Sequence, residues 1–488
     1  MALMHLHSPL HRTAVTLLLT LATLTTSLRP PQPPSCAIFC QGNILAALQN
    51  HFIFGNDSKT FVDSPLRNDP LTVRDAFDAL PRPLTTAALQ HFSSQHFDLV
   101  GSDLIDWTPP DWKPVPPLLA APAIAKNATL RNFTLGLNQL WLQLGRQATA
   151  DVALNPQRHT LLATKHPLVV PGGRFRESYY WDSYWIVKGL LHSGMNNTAA
   201  GVVDNFVDFI DRFGFVPNGG RTYYLTRSQP PLLSEMVRVL FEQGGRNAGA
   251  LPKYIQALEL EHAFWMLQRS FHHTAEWHRG ITPGTRGTTL PPTCNLRKAK
   301  LVLNHYDANT TLPRPESFRE DSVLAAAAIQ HGRNASQLLR DIAAAAESGW
   351  DFSSRWFGDH ATLATVRTSF IVPVELNTIL VRMEYNMCNM MLKVDGSGDT
   401  DDQNQNQNKN RHKGYCDLAR QRWTAMQDCM WNETSSRWND LLVDTDGTVS
   451  QIVDAGASIA NWIPLWGAYL MSTNSTRVVN AVLSLRER

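Results

Sequence analysis

Four segments of this 488-residue sequence gather side chains that could do chemistry on a neutral polar molecule. The densest is Pro171 to Trp185, PGGRFRESYYWDSYW, where Arg174, Arg176, Glu177 and Asp182 are mixed with Tyr179, Tyr180, Trp181 and Tyr184. Four charges cannot enter a core without partners, so the run is expected to line a cleft. Rings beside guanidinium and carboxylate groups suit a sugar: the C–H faces of a pyranose pack on rings while its hydroxyls take directional hydrogen bonds. An aromatic packing loop with internal ion pairs fits the same composition. The second segment holds Asn218 before a glycine pair and then TYYLTRSQPP, in which Arg227, Ser228 and Gln229 precede a stiff Pro-Pro stop. In the third, LPRPES, flanking prolines restrict Arg314 to extended conformations. On residue types alone, Arg314 and Glu316 read as a surface ion pair.

The fourth segment is AESGWDFSSRW, with Glu347 and Asp351 four residues apart. Hydrolysis of a glycosidic bond usually needs one carboxylic acid to protonate the leaving oxygen and a second carboxylate as base or nucleophile. On one helical turn the two would lie about 5–6 Å apart at Cβ, nearer the spacing of retaining than of inverting enzymes. Gly349 between them argues against that turn. An Ala-rich run ending at this glycine reads as a helix terminus, leaving Asp351 in the loop and Glu347 as a structural residue of the last turn.

Helices must position these loops. Val202, Val203, Phe206, Phe209, Ile210 and Phe213 recur at helical spacing and stop at Gly214, which predicts an amphipathic helix with a glycine cap. Further helices are predicted around Leu137 to Leu144, over Tyr254 to Arg269 and over Ile379 to Leu392. No run of alternating strands is evident, so the chain is expected to be all-α with its unusual residues in long loops. Thr274 to Pro292 and the low-complexity run at 399–410, DTDDQNQNQNKN without its flanks, are expected as surface loops within one domain spanning 29–488.

Bulk properties narrow the partner. A net charge of +2 with dispersed Lys and Arg gives no electrostatic case for nucleic acid or an anionic membrane. Arg12 and the apolar run Ala14 to Leu28, stopped by prolines, match a secretory signal, so residues 1–28 are expected to be removed. Sequons at Asn56, Asn127, Asn132, Asn196, Asn309, Asn334, Asn432 and Asn474 agree with a secreted or cell-surface glycoprotein. The six cysteines are sparse for a disulfide scaffold and lack zinc-ligand spacing, so no metal is expected; Cys36 and Cys40 could pair with each other or stay free.

Taken together, GGRFRESYYWDSY (Gly172 to Tyr184), PNGGRTYYLTRSQPP, RPES and AESGWDFSSRW, preceded by DSKTFVD at Asp57 to Asp63, resemble the trehalases of glycoside hydrolase family 37. Five motifs in order cover most of the chain after its N-terminal run. The resemblance implies an (α/α)6 toroid, an inverting cleavage of trehalose into two glucose molecules, and neither cofactor nor metal. It implies Asp351 as general acid, with a pKa raised by partial burial against Trp350 or Trp356. It further implies Arg174, Trp181, Asp182, Asn218, Arg227, Ser228, Gln229, Arg314, Glu316 and Gly349 as substrate-binding residues. The partner is then trehalose, with no obligate protein partner evident. The family also carries a QWDxPNGW segment and, beyond it, a glutamate in an EKY-like context that serves as base; neither occurs in this sequence. The expectation is therefore a toroid incomplete at its C-terminus, whose turnover is impaired because a general base typically contributes about 10²–10⁴-fold. Impaired, sugar-binding behaviour and an α-glucan-cleaving relative on the same toroid are the competing expectations.

Overall fold

Apolar spacing decides where the helices lie. The computed structural model describes residues 35–270, 290–299, 302–308, 310–330, 332–395, 402–443, 448–452, 458–471 and 475–486. The signal-like run, the sequons at Asn309 and Asn474, and residues 274–289 of the expected insertion lie outside them. The helices that bear on the site are α1 (Ser58–Val62), α2 (Ala128–Leu144), α3 (Asp182–His192), α4 (Asn196–Phe213), α5 (Leu233–Gln243), α6 (Leu251–Gln268), α7 (Phe318–Gln330), α8 (Ala335–Glu347), α9 (Val374–Asp395), α10 (Asp402–Cys429) and α11 (Pro464–Met471).

The fold is mainly α. Helix α4 ends as its sequence predicts: Gly214 takes a left-handed φ of 79° and its N–H donates to the Ile210 carbonyl at 2.7 Å. Val202, Val203, Phe206, Phe209 and Ile210 on its inner face are buried. Each such side chain stabilises the fold by roughly 1.5–3 kcal/mol relative to exposure. Helices α3 and α4 pack as a pair joined by a tight turn, and α7 packs on α8 and α9 on α10. Helix α5 lies against α3, α4 and α9, and α9 also meets α6 and α11. This layering of helical pairs is that of an α/α toroid. Polar clamps fix it: Glu235 on α5 accepts from Arg382 (2.9 Å) and Asn386 (2.7 Å) of α9, and Glu384 of α9 pairs with Arg422 of α10 at 2.7 Å.

Short strands depart from the sequence reading. Strands β1 (Leu104–Asp106), β2 (Gly145–Ala148) and β3 (Leu168–Val169) form an antiparallel sheet with Leu104 opposite Ala148 and Gly145 opposite Val169. Strand β4 (Ile371–Val372), the hairpin of β5 (Trp431–Asn432) and β6 (Arg437–Trp438), and strands β7 (Leu441–Val443) and β8 (Val449–Gln451) edge the C-terminal core, with β7 between β4 and β8. Each has two to four residues, too few to show an alternating pattern. The polar run is a second departure: α10 begins at Asp402, so 402–410 open a helix where a loop was expected. Asn, Gln and Lys cost a helix at most about 0.7 kcal/mol each, and the helix is anchored further along by buried Tyr415, Ala419, Trp423 and Met426. All six cysteines pair, Cys36 with Cys40, Cys294 with Cys429 and Cys388 with Cys416, the last joining α9 to α10.

Three buried clusters result, one within the α3–α9 helices, one around Trp423, Trp431 and Trp438, and one in the N-terminal segment around Phe39, Phe61 and Phe97. Tyr179, Tyr223 and Tyr224 from the motif loops belong to the N-terminal cluster, and Trp350 touches the other two. The motif loops thus occupy the seams between cores.

A buried charge network locks those seams. Lys59 on α1 contacts Glu177 (2.7 Å) and Asp63 (2.5 Å); Arg221 contacts Glu177 (3.2 Å), Asp63 (3.2 Å) and Asp103 (2.9 Å). Tyr179 donates to Glu177 at 2.6 Å and Tyr223 to Asp63 at 2.7 Å. Burial pushes the Asp63 carboxyl above the ordinary carboxylate range despite Arg221 and Lys59. Glu177 is desolvated too, but Lys59 and Arg221 outweigh burial and hold it low, so an added proton goes to Asp63. Lys59→Met is expected to lower stability by about 3–5 kcal/mol, since breaking a buried pair strands its partner charge; urea denaturation at pH 7 measures it.

A second buried carboxylate leans on the site from below. Glu261 of α6 accepts a hydrogen bond from Tyr180, whose oxygen in turn accepts from the Leu233 N–H at 3.0 Å. Burial pushes Glu261 up to about 8. A folded-state pKa above the unfolded value means that the stability contributed by the protonated group is full below about pH 4.3, where both states hold the proton, and is lost as pH rises to about 8 because the unfolded chain gives up its proton first. Glu261→Gln is expected to flatten the fall of stability between pH 5 and 8, as read by thermal unfolding across that range.

Candidate active site

The four motif loops meet at one end of the helical layer. Asp182 opens α3 and the Asn218–Gln229 loop joins α4 to α5. Arg314 and Glu316 precede α7, and Gly349 and Asp351 follow α8. The Trp181 N–H donates to Gln229 Oε1 at 3.1 Å, which joins the first loop to the second. Arg227 donates to Asn218 Oδ1 (2.7 Å) and pairs with Glu316 at 2.6 Å, which joins the second to the third. Gly349 closes the ring. Its φ is +70°, and a Cβ there would lie 2.6 Å from Trp181 Cε2, so the α8 terminus can sit against the indole only as glycine.

The ion pair expected between Arg314 and Glu316 does not form. Arg314 is held by both oxygens of Asp321 at 2.7 and 2.8 Å, with its own N–H on the same carboxylate at 2.9 Å, and its guanidinium lies 5.0 Å from the Phe352 ring centre. Glu316 goes instead to Arg227. Both residues are buried, 8% and 7% exposed, which rules out the surface reading. Prolines 313 and 315 hold the backbone extended at Arg314, so its side chain turns to a partner on the following helix.

Asp351 stands among these groups. It keeps an exposed edge towards solvent. Surrounding protein still desolvates its carboxyl and raises it above the ordinary aspartate value, with Glu316 adding to the rise and Arg314 and Arg227 opposing it. Since the residue is open to water, the desolvation is that of a site wall, and a ligand that displaces this water would strengthen it. Asp182 is raised chiefly by burial and further by the charge of Asp351. The rings proposed as neighbours of the acid are otherwise engaged: Trp356 is buried and donates to the Trp350 carbonyl at 3.1 Å, while Arg355 lies over both rings, 5.1 Å from Trp350 and 4.2 Å from Trp356.

The apparent Glu347/Asp351 pair dissolves. Glu347 is the last residue of α8, fully buried, and accepts from Arg269 twice (2.8 and 2.8 Å), from Ser228 N–H (2.9 Å) and from Asp307 N–H (2.9 Å). Ser228 is likewise buried, its hydroxyl donating to the Val216 carbonyl at 2.7 Å, so it shapes the loop from within. Arg174 stands apart from the others, half exposed and paired with Asp57 at 2.9 Å. Asp57, Asp321, Phe352 and Arg269 were not singled out from sequence. Asp57 sits in the DSKTFVD segment and Phe352 in AESGWDFSSRW; Asp321 lies seven residues beyond Arg314 and Arg269 at a helix end, with no pattern to mark either. Among the described residues, no group of acidic, His and Cys side chains could hold a metal ion.

Comparison with known proteins follows the same lines. A family model described as Trehalase matches residues 54–488. The chain is 34% identical over 407 residues to a trehalase of Pimpla hypochondriaca, covering 83% of this chain and 63% of that protein. It is 36% identical over 422 residues to a human trehalase, covering 84% and 65%. A periplasmic trehalase of Xanthomonas campestris is 37% identical over 296 residues, covering 61% and 46%. The chain thus spans less than two thirds of the length of these curated relatives. Among solved structures, a neutral trehalase of Saccharomyces cerevisiae superposes with a TM-score of 0.46 at 22% identity, covering 65% of this chain and 54% of that one. With the family profile matched from residue 54 to residue 488, the chain belongs to the trehalase family.

Proposed function

We propose that this chain binds α,α-trehalose and directs its hydrolysis to two glucose molecules with inversion, Asp351 serving as general acid. Support comes chiefly from one arrangement: a desolvated carboxyl with a raised pKa, flanked by Arg314 and by the Arg227–Glu316 pair. The relatives named trehalase support trehalose as the substrate. Asp351 donates its proton to the bridging oxygen as the C1–O bond breaks, while water attacks the opposite face of the sugar and passes its proton to bulk water, a step expected to be slow without the base segment that this sequence lacks. Arg314, with its Nε–Nη2 edge engaged by Asp321, and Arg227 supply fixed positive charge around the departing glucose. Glu316 Oε2 is buried with no hydrogen-bond partner among the described residues, and its other oxygen orients Arg227. Trp181 offers a sugar-packing face opposite Gly349, and Asp182, Asn218, Gln229 and Arg174 complete the binding set.

We also infer passage through the secretory pathway. Three disulfides, exposed sequon asparagines at Asn56, Asn127 and Asn132, and the N-terminal apolar run support it. No helix of the described residues is long and apolar enough to cross a membrane.

Glucose release from trehalose, maltose and starch, measured beside calorimetric binding of each, tests the substrate; absence of trehalose binding, or preference for an α-glucan, would overturn the reading. Asp351→Asn cannot donate a proton and is expected to lower kcat by about 10²–10⁴-fold with little change in KM. Because the acid must be protonated to act, a raised pKa extends activity to higher pH, and the alkaline limb of the kcat/KM profile reports Asp351 losing its proton. Gly349→Ala is expected to displace Trp181 and raise KM about tenfold, equivalent to roughly 1.4 kcal/mol of binding, as steady-state kinetics would show.

A further inference from the structure

The geometry points to Glu347 as the positioning residue that sets the acid-bearing turn in register with the Arg227–Gln229 loop. This rests on the trehalose-hydrolysis reading and extends it to a residue that touches no substrate.

Glu347 is where three separate stretches are joined. It ends α8, two residues before Gly349 and four before Asp351. One oxygen accepts from Ser228 N–H and Arg269 Nη2, the other from Asp307 N–H and Arg269 Nε, at 2.8–2.9 Å throughout. Ser228 lies between Arg227, which pairs with Glu316, and Gln229, which holds the Trp181 N–H. Arg269 caps the end of α6 and also donates to the Gln268 carbonyl. Asp307 in turn receives the Arg340 fork from within α8 at 2.6 Å on one oxygen, the other oxygen taking Arg340 Nη2. Every acceptor position of a carboxylate is filled by a donor from a different chain segment or by a bidentate guanidinium. A neutral isostere cannot reproduce this. The carboxamide of Gln has one acceptor oxygen and one NH₂ group, so whichever way it turns, an N–H of Ser228 or of Asp307 meets another donor. Loss of the Ser228 contact frees the Arg227 loop to move relative to Asp351, and loss of the Asp307 contact loosens the end of α8 that carries the acid turn, with the apolar cores left in place in both cases; misplacement of about 1 Å can cost 10²-fold in rate.

The test uses the full chain with Glu347→Gln and Arg269→Lys, each checked for cooperative unfolding and assayed with trehalose. Glu347→Gln is expected to lower kcat 10- to 100-fold with KM changed less than threefold. It should also move the alkaline limb of the kcat/KM profile to lower pH, since a loosened turn rehydrates Asp351. Loss of stability alone would leave that limb in place. Arg269→Lys keeps the charge but not the fork and is expected to fall between wild type and Glu347→Gln; it carries the test if Glu347→Gln fails to fold. If wild type binds trehalose without releasing glucose, the comparison is read on affinity, with a tenfold weakening expected. Folded variants with kcat, affinity and alkaline limb unchanged would overturn the positioning role. A wild type that neither binds nor cleaves trehalose would remove the functional reading itself, and the inference with it.

Discussion

Glu177 is sealed from water and must share its negative charge with two cations that come from distant parts of the chain, Lys59 and Arg221. Charges in such surroundings are tolerated only when partners surround them, because the desolvation cost of each ion is several kcal/mol. That requirement forces the DSKTFVD helix, the GGRFRESYYWDSY loop and the NGGR turn into one place. From Glu177 the constraint passes along the chain: Tyr179, bonded to it, and Tyr180 are both buried, and Trp181 and Asp182 follow within five residues at the mouth of the site. The site is therefore built on top of a buried electrostatic knot, and the aromatic face for a sugar is a by-product of how that knot is tied.

A second theme is that the cationic groups are engaged before any ligand arrives. Arg314 is forked onto Asp321, Arg227 onto Asn218 and Glu316, and Arg174 onto Asp57. Guanidinium groups held in this way keep their orientation when water leaves, so their charge needs no reorganisation at the moment of bond breaking. Asp351 differs from them in kind. No acidic or basic side chain forms an ion pair with it among the described residues, and its position comes from the backbone on either side, fixed by Gly349 against Trp181 and by the Trp350 N–H on Ser348 Oγ at 3.0 Å. A proton donor placed by its backbone, with its carboxyl left unpaired, keeps the protonated state within reach.

Much of this was legible in the residues. Helix α4 and its cap, the terminus of α8 at Gly349 and the demotion of Glu347 to structure all follow from spacing and from the conformational freedom of one glycine. Partner identity was not. Arg314 and Glu316 lie two residues apart, yet each turns to a partner elsewhere, because Arg314 is extended while Glu316 already lies in the 3-10 turn that follows, which breaks the same-side register of an extended pair. Long-range donors such as Arg269, 78 residues from Glu347, leave no local signature. The short strands escaped for a different reason: two to four residues pair a backbone edge without repeating any pattern. The run opening α10 misled through composition, since residues that cannot build a core can still extend a helix that other residues anchor.

The bond between Cys294 and Cys429 spans 135 residues and encloses Arg314, Glu316, Gly349 and Asp351. A peptide bond cut anywhere inside that span would leave two polypeptide ends but one molecule, with the acid-bearing segment still tethered at both flanks. In surroundings rich in proteases, a nicked copy could stay assembled around its packed helices, and its cleavage would show only after reduction.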